Sequence, residues 1–222
     1  VTLEKEGRKE TITTEDILVA TGVVGNIKGM DIEKVGIETE KDCQVKVNEF
    51  LQTNIPHIYA AGDCLCHMCL ETVAAKEGKI AVENAFENAR KKIDFSTIPY
   101  AVFTDPEVAS VGLTEAKYSE KYKTCDCRTI SMDKVPKALA VNDTRGLLKM
   151  VVHHKTKKIM GVHILSPVAS EIIHAAVLAV RCGLTVDDII DTVHVFPTVS
   201  EAIKIAAQAF RRDISTMSCC VE

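Results

Sequence analysis

The stretch LLKMVVHHKTKKIMGVHILS, residues 147–166, limits the fold more than any other part of the chain. Two apolar runs, Leu147–His153 and Ile159–Leu165, flank KTKK (Lys155–Lys158). Each has the length of a strand and falls far short of the roughly 20 apolar residues a membrane helix needs. The short lysine-rich connector returns the second run beside the first, so the pair reads as an antiparallel hairpin. Strand-like stretches also precede it, at Tyr100–Phe103, Val108–Gly112 and Cys125–Met132. Helical patterns follow it. One runs over Val168–Arg181 and is closed by Gly183; a shorter VDDIIDT opens on Thr185; a third runs from about Ser200 to Phe210. Antiparallel strands followed by helices make this region α+β. DKVPKALA and the Asn142–Arg145 turn read as loop surface.

Upstream, the opening residues alternate and end in an apolar strand, Ile17–Ala20, before Thr21-Gly22. Short strands are expected around Val45–Val47 and at Ile58–Ala61, the latter stopping at Gly62-Asp63. From Glu71 to about Lys91, apolar residues at Val73, Ala74, Ile80, Ala81 and Phe86 keep helical spacing. Pro99 and a change of composition between Ile93 and Tyr100 mark a domain boundary.

Charge and cysteine usage narrow the function classes. The net charge is −4 with acids and bases interspersed, so no basic face invites nucleic acid or an anionic membrane. No segment reads as a secretory signal. Nine cysteines, odd in number and irregularly spaced, point away from a disulfide framework and toward reduced cytoplasmic thiols open to soft metals. Trp is absent and aromatics are 5%, so the cores must be built from Val, Ile, Leu and Ala.

Three thiol groupings stand out. TMSCCVE places Cys219 and Cys220 side by side at the end of the sequence. CLCHMC gathers Cys64, Cys66, His67 and Cys69, ligand types suited to Zn²⁺ or Hg²⁺, although a closed zinc site usually draws two pairs from separate turns. Cys125 and Cys127 alternate on a strand, share one face and are weighed as a soft-metal pair. Cys182 reads as a helix-end core thiol, and His153, His154, His163 and His174 as satisfied surface or core residues.

Three stretches in order carry a resemblance: ILVATGVVGNIKGMDIEKVGIE, VNEFLQTNIPHIYAAGDC and YAVFTDPEVASVGLTEAKY. Together they resemble the flavin-dependent pyridine nucleotide–disulfide oxidoreductases over essentially the whole chain, as the C-terminal half of such an enzyme. The resemblance implies residues 1–22 as the end of an NAD(P)-binding domain, 23–96 as a central, FAD-binding tail, and 97–222 as a dimerisation domain. In AAGD, Gly62 lets the backbone approach a ligand and Asp63 offers a carboxylate at a strand's carboxyl end. The family implies that this Asp binds the flavin's ribityl chain. It also implies that the helix from Glu71, with Thr72, Val73 and Ala74 in its first turn, points its positive end at the isoalloxazine. The dinucleotide fingerprint GxGxxG is absent, and so is the flavin-facing CxxxxC pair that members carry early in the chain. The fragment alone is therefore expected to retain little FAD and to oxidise no NADPH.

HVFPTVSEA, His194–Ala202, bears on the acceptor. Disulfide-reducing members carry His-Pro here, the His serving as general base and a following Glu orienting it. This chain has Phe196 before Pro197 and keeps Glu201. Phe carries no proton. His194, two residues earlier on an extended segment, is the alternative base. Phe-Pro together with a C-terminal SCC and two further residues resembles the mercuric ion reductases. The resemblance implies a homodimer through residues 97–222 whose Cys219 and Cys220 take Hg(II) from small thiols, with FAD and NADPH supplying electrons. Where those enzymes place Tyr after the Pro, this chain has Thr198. A dihydrolipoamide dehydrogenase-like disulfide reductase and a non-catalytic thiol-rich metal-binding module are the alternatives.

Overall fold

The structure, a computed structural model, describes residues 1–40 and 44–213, so Cys43, Cys219 and Cys220 lie outside it. The chain divides into two compact units, one ending at Ile93 and the other beginning at Asp94.

The first unit opens on a hairpin of β1 (Thr2–Lys5) and β2 (Arg8–Thr11). A small pair, β3 (Thr39–Glu40) and β4 (Gln44–Val45), follows. A long helix, α1 (Glu71–Glu87), comes next. Its core gathers Ile27, Val45, Leu51, Leu65, Ile80 and Ala81. Two strand expectations fail here. Ile17–Ala20 has no regular structure, and Leu18 is 92% exposed. A buried strand needs hydrogen-bonding neighbours, and no described segment pairs with this one. Ile58–Ala61 is likewise irregular, joined to the preceding loop by a bridge between Gln52 and Tyr59 and by backbone hydrogen bonds to Leu51 and Thr53. The α1 pattern also shifts: Phe86 is 87% exposed, and the buried stripe is Val73, Glu77, Ile80, Ala81 and Asn84. Two of those five are polar, and each has work to do. Asn84 donates to the carbonyls of Phe50 and Lys91 and accepts from the Lys91 amide, tying loops to the helix.

The second unit is α+β, as expected. Strands β5 (Tyr100–Val102), β6 (Glu107–Gly112), β7 (Cys127–Ser131), β8 (Leu147–Val152) and β9 (Ile159–Ser166) form one antiparallel sheet in the order β5-β6-β9-β8-β7. Helices α2 (Glu115–Tyr122) and α3 (Pro136–Ala140) lie between strands in sequence. Helices α4 (Ala169–Cys182), α5 (Val186–Asp191) and α6 (Glu201–Gln208) follow them. Period-two alternation puts Ala109, Val111, Ile130, Leu148, Met150, Val162 and Ile164 on one face, buried against Ala169, Ile172, Ile173 and Ala176 of α4 and Ile203 and Ala206 of α6. Small residues on the helices let them sit close to a sheet face of branched side chains.

The opposite face is more polar. Register places Ser110, His163, Lys149 and Thr129 in line across four strands. Helix α2 covers part of this face through Tyr118, whose hydroxyl accepts from the His154 amide and also hydrogen-bonds the His154 ring. Sequence periodicity misses α2 because Tyr118 is its only buried residue. Its start was nevertheless signalled by Thr114, whose Oγ1 accepts from the Lys117 amide. DKVPKALA is corrected from loop surface to a 3-10 turn followed by α3. Pro136 takes the first turn, where no amide is needed, and Met132, Val135 and Ala138 are buried.

Helix ends follow sequence closely. Gly183 caps α4 at φ 66°, a left-handed conformation that costs glycine nothing. Thr185 and Asp188 form a reciprocal capping box on α5. Thr185→Ala is expected to destabilise the second unit by about 1 kcal/mol, measured by thermal or urea unfolding. A change below a few tenths would mean the box contributes nothing there.

Candidate functional site

The loop from Ala61 to Leu70 and the start of α1 form the region the AAGD motif singled out. Gly62 has φ 83° and ψ −156°, a region open essentially only to glycine. A methyl added there would stand 3.3 Å from the Ala74 side chain, so the loop backbone lies directly against the first turn of α1. Past Gly62 the chain turns through a 3-10 segment, Asp63–Leu65. Leu65 is buried beneath it and the Asp63 side chain is left in solvent.

What holds Gly62 in place was not read from the sequence. Glu77, only 1% exposed, accepts the Gly62 amide on Oε2 at 2.7 Å. Its Oε1 lies 3.3 Å from His67 Nδ1. One buried carboxylate thus ties two points of the loop to the helix. The signal was available, because Glu77 lies four residues after Val73 and three before Ile80, on the buried stripe.

Helix α1 begins without a side-chain cap. Leu70 is at the N-cap position, and its carbonyl accepts from the amides of Val73 and Ala74. Of the first-turn residues, Val73 is buried in the unit while Thr72 is exposed. A helix start with no capping side chain keeps amides and the positive dipole end available to a ligand. An exposed carboxylate at Asp63, a glycine-only backbone turn and an uncapped helix start occur within one short loop-and-helix segment. That donor and acceptor set fits a polyol and the electron-rich edge of a heteroaromatic ring.

The thiols of CLCHMC do not assemble into a ligand cluster. Cys64 points its Sγ at the Ala61 carbonyl, 3.4 Å away, and burial pushes its thiol up. Cys66 donates to the Asp63 carbonyl instead. Cys64 and Cys69 bracket four residues, yet both are free thiols.

In the second unit, the HVFPTVSEA segment spans the link between α5 and α6 and the first residues of α6. His194 Nε2 is 3.1 Å from the Ile189 carbonyl oxygen. Phe196 is 50% exposed. Glu201 accepts the Thr198 amide at 3.3 Å, so its carboxylate closes the start of α6. Cys182 is exposed at the end of α4, not in the core. In the same unit Val193 and Val195 are exposed, as are Tyr100 and Val102 on β5 and Phe103 just after it. Cys219 and Cys220 fall outside the described residues.

Two family models match. The pyridine nucleotide-disulphide oxidoreductase model covers residues 1–85, and the dimerisation domain model of the same family covers residues 98–207. The chain is 40% identical over 211 residues to a mercuric reductase of Streptomyces lividans, covering 95% of this chain and 44% of that protein. It is 41% identical over 214 residues to a mercuric reductase of Lysinibacillus sphaericus, covering 96% and 39%. Among solved structures, LpdA of Mycobacterium tuberculosis superposes with a TM-score of 0.79 at 29% identity, covering 85% of this chain and 41% of that one. The fold is also shared with RclA of Escherichia coli, described as a flavoprotein disulfide reductase, at TM-score 0.80 and 24% identity, covering 93% and 47%. The chain thus spans less than half the length of these relatives.

Proposed function

The chain belongs to the pyridine nucleotide–disulphide oxidoreductase family, and from that premise we propose that it is the C-terminal portion of a flavin-dependent mercuric reductase. The observation that carries this reading is Phe196, half exposed where the disulfide-reducing branch needs an imidazole, with Glu201 occupied at the start of α6. The two mercuric reductase relatives at 40% and 41% identity support it. So does the adjacent thiol pair Cys219 and Cys220, soft donors matched to a soft ion.

In this proposal Gly62 and Asp63 meet the polyol of FAD. The start of α1, with Thr72 exposed and Val73 and Ala74 anchoring it, faces the ring and favours negative charge there. When bound, FAD would supply two-electron transfer from NADPH, so that NADPH and Hg(II) become NADP⁺, Hg(0) and a proton. The residues of this chain do the rest. Cys219 and Cys220 take Hg(II) from small thiols by ligand exchange, and Phe196 leaves no general base beside the reacting sulfur. The exposed apolar side chains Tyr100, Val102, Phe103, Val193 and Val195 fit a homodimer through residues 97–222.

The test uses the protein restored to the length of its relatives. NADPH oxidation is expected to depend on Hg(II) in the presence of excess small thiol. Faster reduction of dihydrolipoamide or glutathione disulfide with no response to Hg(II) would refute the reading. The 222-residue chain by itself is expected to bind little FAD and to oxidise no NADPH. A yellow, NADPH-oxidising preparation of it would contradict the division of labour proposed here.

A further inference from the structure

On the polar face of the sheet, at its edge, the structure brings together three ligand atoms from two elements. Cys127 opens β7 and Cys125 lies just ahead of the paired register, while Glu115 is the first residue of α2. One ligand atom from each of the three lies within 4.8 Å of the others. Cys125 Sγ is 2.9 Å from Cys127 Sγ and 3.2 Å from Glu115 Oε1, and both thiols are free. The second carboxylate oxygen, Oε2, accepts from Lys149 Nζ at 2.6 Å. Lys149 stands on β8 opposite Thr129, two residue pairs from Cys127 and on the same face, so the sheet itself sets its position.

We propose that Glu115, Cys125 and Cys127 form a binding site for a thiophilic d10 divalent cation, with Lys149 holding the carboxylate in place. The site stands independently of the mercuric reductase reading, because none of its residues is among those proposed to meet flavin, to carry Hg(II) or to replace the base.

The chemistry of the donor set selects the ion. Two sulfurs exclude calcium and magnesium, which take oxygen ligands, and favour zinc, cadmium or mercury. Binding exchanges two thiol protons for the ion, with no change of oxidation state. Two thiolates and one carboxylate carry three negative charges, and the ion plus Lys149 carry three positive ones, so the loaded site is neutral. Lys149 plays the part that outer partners of metal-ligating carboxylates commonly play, fixing which oxygen faces the ion. In the ion-free site its hydrogen bond, with smaller contributions from the two thiols, holds Glu115 down at about 2. Burial, then the neighbouring Cys125, pushes the Cys127 thiol up to about 12. The carboxylate beside the two sulfurs is therefore ionised in the ion-free site. Two thiolates on one zinc-sized ion stand about 3.8 Å apart, given bonds of about 2.3 Å in tetrahedral geometry. Loading thus requires the sulfurs to separate by about 0.9 Å. Cys125, exposed and ahead of the registered pairing, is free to make that adjustment.

The test is metal protection of the reduced full chain. Cd(II) is titrated, the thiols are pulse-alkylated, and each cysteine is read by peptide mass spectrometry. Cys125 and Cys127 are expected to be protected together, at one shared midpoint and by about tenfold or more in rate. Alkylation of exposed Cys182 should not change. Glu115→Gln is expected to raise the midpoint about tenfold with an unchanged circular dichroism spectrum. Cys125 and Cys127 alkylating at metal-free rates, or at separate midpoints, would overturn the site. A midpoint unmoved in Glu115→Gln would overturn the place given to the carboxylate.

Discussion

Replacing both terminal thiols, Cys219→Ser with Cys220→Ser, in the protein restored to the length of its relatives is expected to reduce kcat/KM for thiol-bound Hg(II) by about a hundredfold or more. That corresponds to about 2.7 kcal/mol of lost transition-state stabilisation. The cause is ligand softness. A serine hydroxyl does not compete with a small thiol for Hg(II), so the ion stays on its carrier and never reaches the flavin. Oxidation of NADPH by a small quinone, which needs no mercury ligand, is expected to be nearly unchanged. Raising the concentration of competing thiol should widen the gap between variant and parent. Equal mercury turnover in the two proteins under excess thiol would remove these cysteines from the mechanism. The disulfide-reductase alternative would then stand ahead.

The second large effect concerns the carboxylate that positions the Gly62 loop. Glu77→Ala leaves the part-buried Gly62 amide without its acceptor and opens a small cavity on the α1 stripe. Together these are expected to cost about 2–4 kcal/mol of stability in the first unit. Glu77→Gln keeps an oxygen for Gly62 and an amide for His67, so it should cost about 1 kcal/mol or less. Amide exchange at Gly62 separates the two variants directly: fast in Glu77→Ala, near parental in Glu77→Gln. In the full-length protein the alanine change should also weaken FAD binding by about tenfold, equivalent to about 1.4 kcal/mol, because the glycine turn beside Asp63 loses its anchor. Similar exchange at Gly62 in both variants and the parent would show that the loop holds itself.

Much of the second unit was legible because its signals are local. Alternation along β6, β8 and β9, the KTKK return, Gly183 as a cap and Thr185 as another each act within a few residues. The missed helices, α2 and α3, are short and carry few buried residues apiece. Tyr118 and Ala138 earn their burial from distant strands, which no window of neighbouring residues contains. Ile17–Ala20 erred the other way. Its composition is that of a strand, but a strand exists only where a neighbour supplies its hydrogen bonds, and no described residue does.

The candidate sites divide along the same line. Sequence alone determined that Gly62 stands before Asp63, that Phe196 and not His precedes Pro197, and that Cys219 and Cys220 are adjacent. These are matters of residue identity and order. Only the tertiary structure decided that Glu77 reaches back fifteen residues to hold Gly62, and that Glu115 and Lys149 converge on Cys125 and Cys127. Those contacts join residues far apart in the chain, and helix packing and strand register bring them within hydrogen-bonding distance.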